Sequence, residues 1–219
     1  MQAVILAAGK GARLRPLTHT TPKPLLEVDG KRLIQHVLEA LPENVDELFL
    51  VVNHLSEQII DFLGSVWRGI PIHYVIQEPL SGTAGALFLL QEQLHDRFLV
   101  LNSDDLYNKQ DLEELAKHDQ SILVYETHRH LEAAAQIENE QFVGLGPGSL
   151  AVCGAYVLDK TIFETEPVEI HVSNYRELGL PQTLAESAAQ FPITAVFASS
   201  WSQVGTPAQL EQAQKTHIG

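Results

Sequence analysis

Backbone amides and fixed cations are the first chemistry this sequence offers. Residues Leu6-Ala7-Ala8-Gly9-Lys10-Gly11-Ala12-Arg13-Leu14-Arg15-Pro16-Leu17-Thr18 set a glycine-rich turn directly after an apolar run. Glycine accepts positive φ and lets a ligand approach the backbone, so successive N–H groups can point at phosphate oxygens. Neither common phosphate loop is present: the Gly-Lys-Ser/Thr ending of a Walker loop is absent, and Leu14 takes the last position of Gly-x-Gly-x-x-Gly. Two glycines alone read equally well as a tight structural turn. Thr21-Pro22-Lys23-Pro24 adds a lysine whose backbone two prolines stiffen. Six of the 14 Lys and Arg lie in the first 32 residues, namely Lys10, Arg13, Arg15, Lys23, Lys31 and Arg32. In a chain of net charge -14, this concentration points to a local anion site.

Carboxylates supply the complementary chemistry. Asn102-Ser103-Asp104-Asp105 follows the apolar run Phe98 to Leu101, where Asp104 could offer a hard oxygen ligand to magnesium or belong to a solvated turn. Asp105 reads as the start of the next loop. The ten histidines form no His-Glu-x-x-His pattern, and His128 and His130 are the only close pair, so no metal is assigned to them. The lone Cys153 excludes an internal disulfide framework and a cysteine metal cluster, and its apolar surroundings predict a buried, inert thiol.

The elements that must position these groups alternate. Residues 3–8 form a continuous apolar run, as expected of a strand buried on both faces. A helical stripe follows from Leu33 to Leu41, then a strand Glu47 to Val52, a helix capped by Ser56 and running through Leu63, and a strand Ile72 to Ile76. Gly82-Thr83-Ala84-Gly85 introduces a helix to about Leu94, ahead of the strand Phe98 to Leu101. Beyond Asp111 the spacing predicts a helix through Lys117, a strand Ile122 to Glu126, an apolar run Leu150 to Leu158, a helix Leu184 to Gln190, a strand Ile193 to Phe197 and a terminal helix from Pro207. Such alternation predicts an α/β fold: a Rossmann-like, mixed but mostly parallel central sheet flanked by helices, with ligands at the carboxyl ends of its strands. With no repeat, linker or low-complexity segment, residues 1–219 read as a single domain. The change of pattern beyond Asp111 divides this domain into residues 1–110 and 111–219.

Composition bounds the partners. The negative balance argues against general nucleic-acid or anionic-membrane binding, and no apolar run approaches the roughly 20 residues of a membrane span. The start of the chain lacks a basic n-region and reads as a strand, so the expected location is cytoplasmic.

The stretch Leu6 to Leu26 resembles the signature of the sugar-phosphate nucleotidylyltransferases, Gly-x-Gly-x-Arg-x-x-Pro-x-Thr followed by Pro-Lys-Pro. Gln77, Gly82-Thr83-Ala84, Asp104, and Trp201 with Val204-Gly205-Thr206-Pro207 extend the resemblance along nearly the whole chain. It implies that the phosphate of a sugar 1-phosphate attacks the α-phosphorus of a nucleoside triphosphate and releases pyrophosphate. Arg13 then neutralises the triphosphate and Lys23 lies near the α-phosphate, roles suited to a reaction that needs positioning and charge more than a proton acid. Arg15 is either a second clamp or a surface residue. The backbone from Leu6 through Ala7, Ala8, Gly9 and Gly11 would cradle base and phosphates, and Gln77 and Gly82 would meet the base edge. A glutamine amide satisfies a pyrimidine donor and acceptor together, which favours UTP or dTTP. Asp104 would hold Mg2+, and the resemblance makes residues 1–110 a nucleotide-binding half and 111–219 an acceptor-binding half.

Two departures stand out. The family pattern Trp-x-Asp-x-Gly-Thr supplies a second carboxylate to the metal, and here that position is Gln203. Many members carry a Glu-Lys-Pro lysine for the sugar phosphate, whereas Phe142 to Ser149 contains no charged side chain. A short class resembling amino-sugar-phosphate uridylyltransferases also lacks that element. Between His118 and Gln214 the fixed cations are Arg129, Lys160 and Arg176; Arg176, which follows Asn174-Tyr175, is the candidate for the acceptor. The expected function is magnesium-dependent transfer of NMP to a sugar 1-phosphate. The alternatives are a phosphocholine-type cytidylyltransferase and a nucleotide-binding regulatory homologue weakened at Gln203.

Overall fold

The computed structural model describes residues 1–172 and 175–216. Its first half contains β1 (Gln2–Ala7), β2 (Glu27–Val28), β3 (Lys31–Arg32), α1 (Leu33–Glu39), β4 (Glu47–Val52), α2 (Ser56–Leu63), β5 (Val66–Trp67), β6 (Ile70–Ile76), α3 (Gly82–Phe88) and β7 (Arg97–Asn102). The second half adds β8 (Asp105–Tyr107), α4 (Lys109–Leu115), β9 (Ser121–Glu138), β10 (Gln141–Asp159), β11 (Glu169–Val172), β12 (Tyr175–Leu178), α5 (Leu180–Ser187), β13 (Thr194–Phe197), β14 (Trp201–Gln203) and α6 (Pro207–Thr216).

Eight strands form the main sheet in the order β13-β9-β10-β7-β1-β4-β6-β5. Parallel pairs join β1 to β4 and β7, β4 to β6, and β9 to β13, while β10 runs antiparallel to both β7 and β9. The sheet is mixed and mostly parallel, as the alternating elements predict. All six residues of β1 are buried because both faces are covered: Ala3, Ile5 and Ala7 enter one apolar layer and Val4 and Leu6 the other. This period of two explains the continuous apolar run at the start of the chain.

Several local expectations need correction. Ser56 is the first helical residue of α2, and the cap position is Leu55, held in the left-handed region at φ 54°. The helix from Gly82 stops at Phe88; short-range bonds from Leu90 N to Leu87 O and Gln91 N to Phe88 O tighten the chain into turns that bury Leu90 and Leu94. Pro181 starts α5 earlier than its apolar spacing suggested, since proline suits the first helical turn. The largest difference is at 127–149: the strand expected to end at Glu126 continues as β9 to Glu138 and returns as β10 from Gln141. Its polar and glycine-rich stretches interrupt the apolar pattern and hide the pairing, although Ala134, Ala135 and Phe142 are buried in the folded hairpin.

Candidate functional site

Where β1 ends, the chain folds into a loop that its own side chains close. Thr18 Oγ1 donates to the Gly11 carbonyl at 2.9 Å, and Leu14 N donates to the same oxygen at 2.9 Å. Gly11 sits at φ +61°, and a Cβ there would lie 2.9 Å from Thr18 Cγ2 and 3.2 Å from Lys23 Cβ. Both backbone sign and crowding therefore require glycine. Thr18 thus closes the loop on Gly11, with Lys23 packed against the same turn.

Lys23 forms an ion pair with Asp104, whose side chain stands on the turn between β7 and β8. Their side chains are 13% and 22% exposed, so the pair is sheltered but reachable. Burial pushes the Lys23 ammonium down to about 8, opposed by the Asp105 carboxylate and reinforced by Arg13. Direct contact with Asp104 also favours the charged form. Arg13 is exposed and packs across the backbone of Gly205, where a Cβ would meet its Nη2 at 2.7 Å. Segments far apart in sequence thus meet at the carboxyl edge of β1 and β7.

Asp105 is not a loop residue but opens β8, is 2% exposed, and pairs across to Gln203 of β14. Burial pushes its carboxyl up to about 6, against the Lys23 charge and the Asn102 amide, whose Nδ2 donates at 3.3 Å. Gly154 at φ +67° makes room for that amide: a Cβ there would fall 2.0 Å from Asn102 Nδ2. Tyr107 fastens β8 to β10 through contacts of 3.1 Å from its hydroxyl to the Cys153 and Gly154 carbonyls.

A cavity of about 240 Å³ opens beside this group, lined by Leu6, Thr83, Asp105, Tyr156, Glu177 and Gln203 among others. The hairpin β11–β12 forms one wall; Leu178 N donates to Ser81 O at 2.7 Å and Leu180 N to Thr83 Oγ1 at 2.9 Å. Glu177, whose carboxyl is pushed up by burial, faces the cavity. Its role has no motif in the sequence, because the hairpin register decides which of two neighbouring residues points inward.

Register bears directly on Arg176. It pairs with His171, while Glu177 pairs with Ile170, and both Glu177 and Ile170 line the cavity. Arg176 does not line it and instead reaches Glu169 Oε1 at 2.7 Å. The acceptor cation expected from sequence is therefore not brought to this cavity. Asn174 lies outside the described residues.

Gln77 is 2% exposed, and its Nε2 donates to Ser81 Oγ at 3.0 Å and to the Gly82 carbonyl at 2.9 Å. In this arrangement it fastens the turn before α3, while Gly82 packs its backbone on Leu178 of β12. Leu6, Ala7 and Ala8 are buried at the end of β1, and Gly9 is exposed beyond them. Among the described residues, no group of three or more His, Cys, Asp or Glu gathers for a metal. Asp104 offers a carboxylate and Gln203 a neutral amide oxygen on the strand beside it. Magnesium commonly takes one or two carboxylates with substrate phosphates and water, and this donor set fits an ion held mainly by a triphosphate.

The nucleotidyl transferase family model matches residues 2–127, the loop, both strand ends and Asp104 included. The chain belongs to this family. It is 32% identical over 225 residues to the bifunctional protein GlmU of Methanocaldococcus jannaschii, covering 98% of this chain and 54% of that protein. It is 40% identical over 109 residues to the UTP–glucose-1-phosphate uridylyltransferase AglF of Haloferax volcanii, covering 49% of this chain and 45% of that one. The chain thus spans about half the length of the curated relatives it matches. A Bacillus anthracis protein described as a glucose-1-phosphate thymidylyltransferase, solved in complex with sucrose, superposes with a TM-score of 0.84 at 25% identity, covering 99% of this chain and 94% of that one. Lys23, Asp104 and Arg13 all lie within the matched residues.

Proposed function

We propose that the chain catalyses magnesium-dependent transfer of a nucleoside monophosphate from a nucleoside triphosphate, UTP or dTTP first, to a sugar 1-phosphate. The observation that carries this reading is the convergence of Lys23, Asp104 and Arg13 beside a cavity with hydrogen-bonding walls. Two of the proteins named above support the substrate class, since the descriptions of AglF and of the Bacillus anthracis protein name glucose 1-phosphate.

In this reading the loop backbone from Leu6 to Gly11 receives the triphosphate and Arg13 neutralises its outer phosphates. Lys23 stands beside the α-phosphate, held in place by Asp104. The acceptor's phosphate oxygen forms a bond to the α-phosphorus as the bond to the bridging oxygen breaks, and pyrophosphate leaves. Fixed cations stabilise the charge that moves onto the leaving group, at no reorganisation cost during reaction. Asp104 would hold magnesium, which when bound neutralises charge shared between phosphate oxygens. The cavity between β10 and β12 takes the sugar, with Glu177 and Gln182 available to its hydroxyls. UTP or dTTP is favoured by the Gln77 position, although its amide nitrogen is turned inward, so base selection would fall on the backbone around it and on Oε1. A phosphocholine-type acceptor has less support, since a trimethylammonium group is best held by an aromatic cage and Tyr156 is the single aromatic side chain among the residues lining this cavity.

The test is pyrophosphate release with Mg2+, each nucleoside triphosphate, and a panel of sugar 1-phosphates beside phosphocholine. Release that depends on one triphosphate and one sugar phosphate is expected. Tight triphosphate binding without release from any pair would instead support a regulatory homologue disabled at Gln203.

A further inference from the structure

A second cavity, of about 330 Å³, adjoins the first and shares Val152 and Gln203 with it. Among its lining residues the only charge is the Arg129 guanidinium; Thr127, Ser202, Gln203, Gln209 and Gln212 supply hydroxyl and amide groups, and no carboxylate faces it. A cavity with one cation, neutral donors and no acid suits an anion.

How Arg129 reaches this place is a property of the sheet. β9 and β10 are in register at Glu126 with Leu150 and again at Leu131 with Gly148, so residues 127–130 face the single residue Ser149. Such a bulge re-aims side chains that a regular ladder would point along the sheet. Thr127 fixes it, accepting from Arg129 N at 3.3 Å and donating to the Ser149 carbonyl at 2.9 Å. Because β9 runs parallel to β13, and through β10 and β7 parallel to β1, the bulge lies at the carboxyl edge of the sheet, the edge at which β1 leads into the loop and β7 into Asp104. Arg129 has no ion pair among the described residues, whereas Arg176 is paired with Glu169 on the far side of its hairpin. Lys160 follows Asp159, which pairs with Arg97 at the opposite edge of the sheet.

We propose that Arg129 and the cavity it lines are the phosphate subsite for the acceptor, holding a phosphate monoester whose sugar lies in the adjoining cavity. The proposal rests on the transferase reading for the identity of the ligand. Gln203, in the wall between the cavities, is neutral, and a carboxylate there would repel the same phosphate. A guanidinium can bind two phosphate oxygens at once, so its loss should weaken phosphate binding at least about tenfold.

Trp201 lines the same cavity and allows the test to be read with or without turnover. In a Trp67→Phe background, Trp201 fluorescence is titrated with glucose 1-phosphate, glucose, inorganic phosphate and pyrophosphate, for the parent chain and for Arg129→Ala and Arg129→Lys. In parallel, KM for the acceptor and for the triphosphate is measured for whichever pair releases pyrophosphate. Expected are saturation by glucose 1-phosphate but not glucose, an affinity at least about tenfold weaker in Arg129→Ala and intermediate in Arg129→Lys, and a matching rise in acceptor KM with triphosphate KM unchanged. Unchanged acceptor affinity in a folded Arg129→Ala, no titration of the parent chain, or a preference for pyrophosphate over glucose 1-phosphate would overturn the subsite and leave the transferase reading standing if turnover is seen. Saturable glucose 1-phosphate binding lost in Arg129→Ala, with no turnover from any pair, would uphold the subsite while the transferase reading fails.

Discussion

At the scale of single residues, charge and burial oppose each other around Lys23. Its stem packs under Gly11 and its ammonium is held by Asp104 in a sheltered position, so the cation costs free energy to bury and is retained only with its partner. Lys23→Met keeps the packing and removes the charge. On the proposed function, kcat should fall by about two orders of magnitude, as when a fixed transition-state donor is removed, while a thermal scan shows a folded protein. Undiminished turnover would remove Lys23 from the reaction. Cys153 presents the opposite case, a buried thiol that burial pushes far above its usual range. Native protein at pH 8 should resist iodoacetamide, and denatured protein should take up one equivalent, as mass spectrometry would show.

Elements are tied together by a few polar contacts whose loss should be felt at a distance. Asp111 in α4 accepts from Ser199 N at 2.7 Å, Ser199 Oγ at 2.9 Å and Ser200 N at 3.4 Å, anchoring the segment that leads into β14. Asp111→Ala strands these donors and should destabilise the fold by about 2 kcal/mol. A urea transition should show a lower midpoint with unchanged slope. Because β14 carries Trp201 and Gln203, the same variant should also weaken acceptor binding more than triphosphate binding. Gly11→Ala acts on the loop instead. Positive φ and the 2.9 Å approach to Thr18 Cγ2 should cost about 1–3 kcal/mol locally, and triphosphate affinity should fall with it.

For the molecule as a whole, the site joins β1, β7, β8 and β14 with the hairpins β9–β10 and β11–β12, so a ligand that binds there links much of the chain. On the proposed function, saturating Mg2+ with the correct triphosphate, at about a hundred times its dissociation constant, should add about 2.7 kcal/mol to stability. For a domain of this size that is roughly 5–10 °C in Tm. No shift with any nucleoside triphosphate would sink the triphosphate site. None of the described helices is long and apolar enough to cross a membrane.

The sequence by itself determined most of the first half of the fold. The glycine loop, the Pro-Lys-Pro lysine and the strand-end aspartate are local patterns, and a buried parallel strand announces itself as an unbroken apolar run because both its faces are covered. The second half was decided by tertiary structure. Whether Glu177 or Arg176 faces the cavity depends on a hairpin register that shifts every side chain by one face. The place of Arg129 depends on a bulge formed only when β9 and β10 pair, and Asp105 becomes a buried carboxyl only once β8 meets β14. Such pairings join residues distant in the chain through backbone hydrogen bonds, which carry no residue-type signature, so no local pattern could announce them.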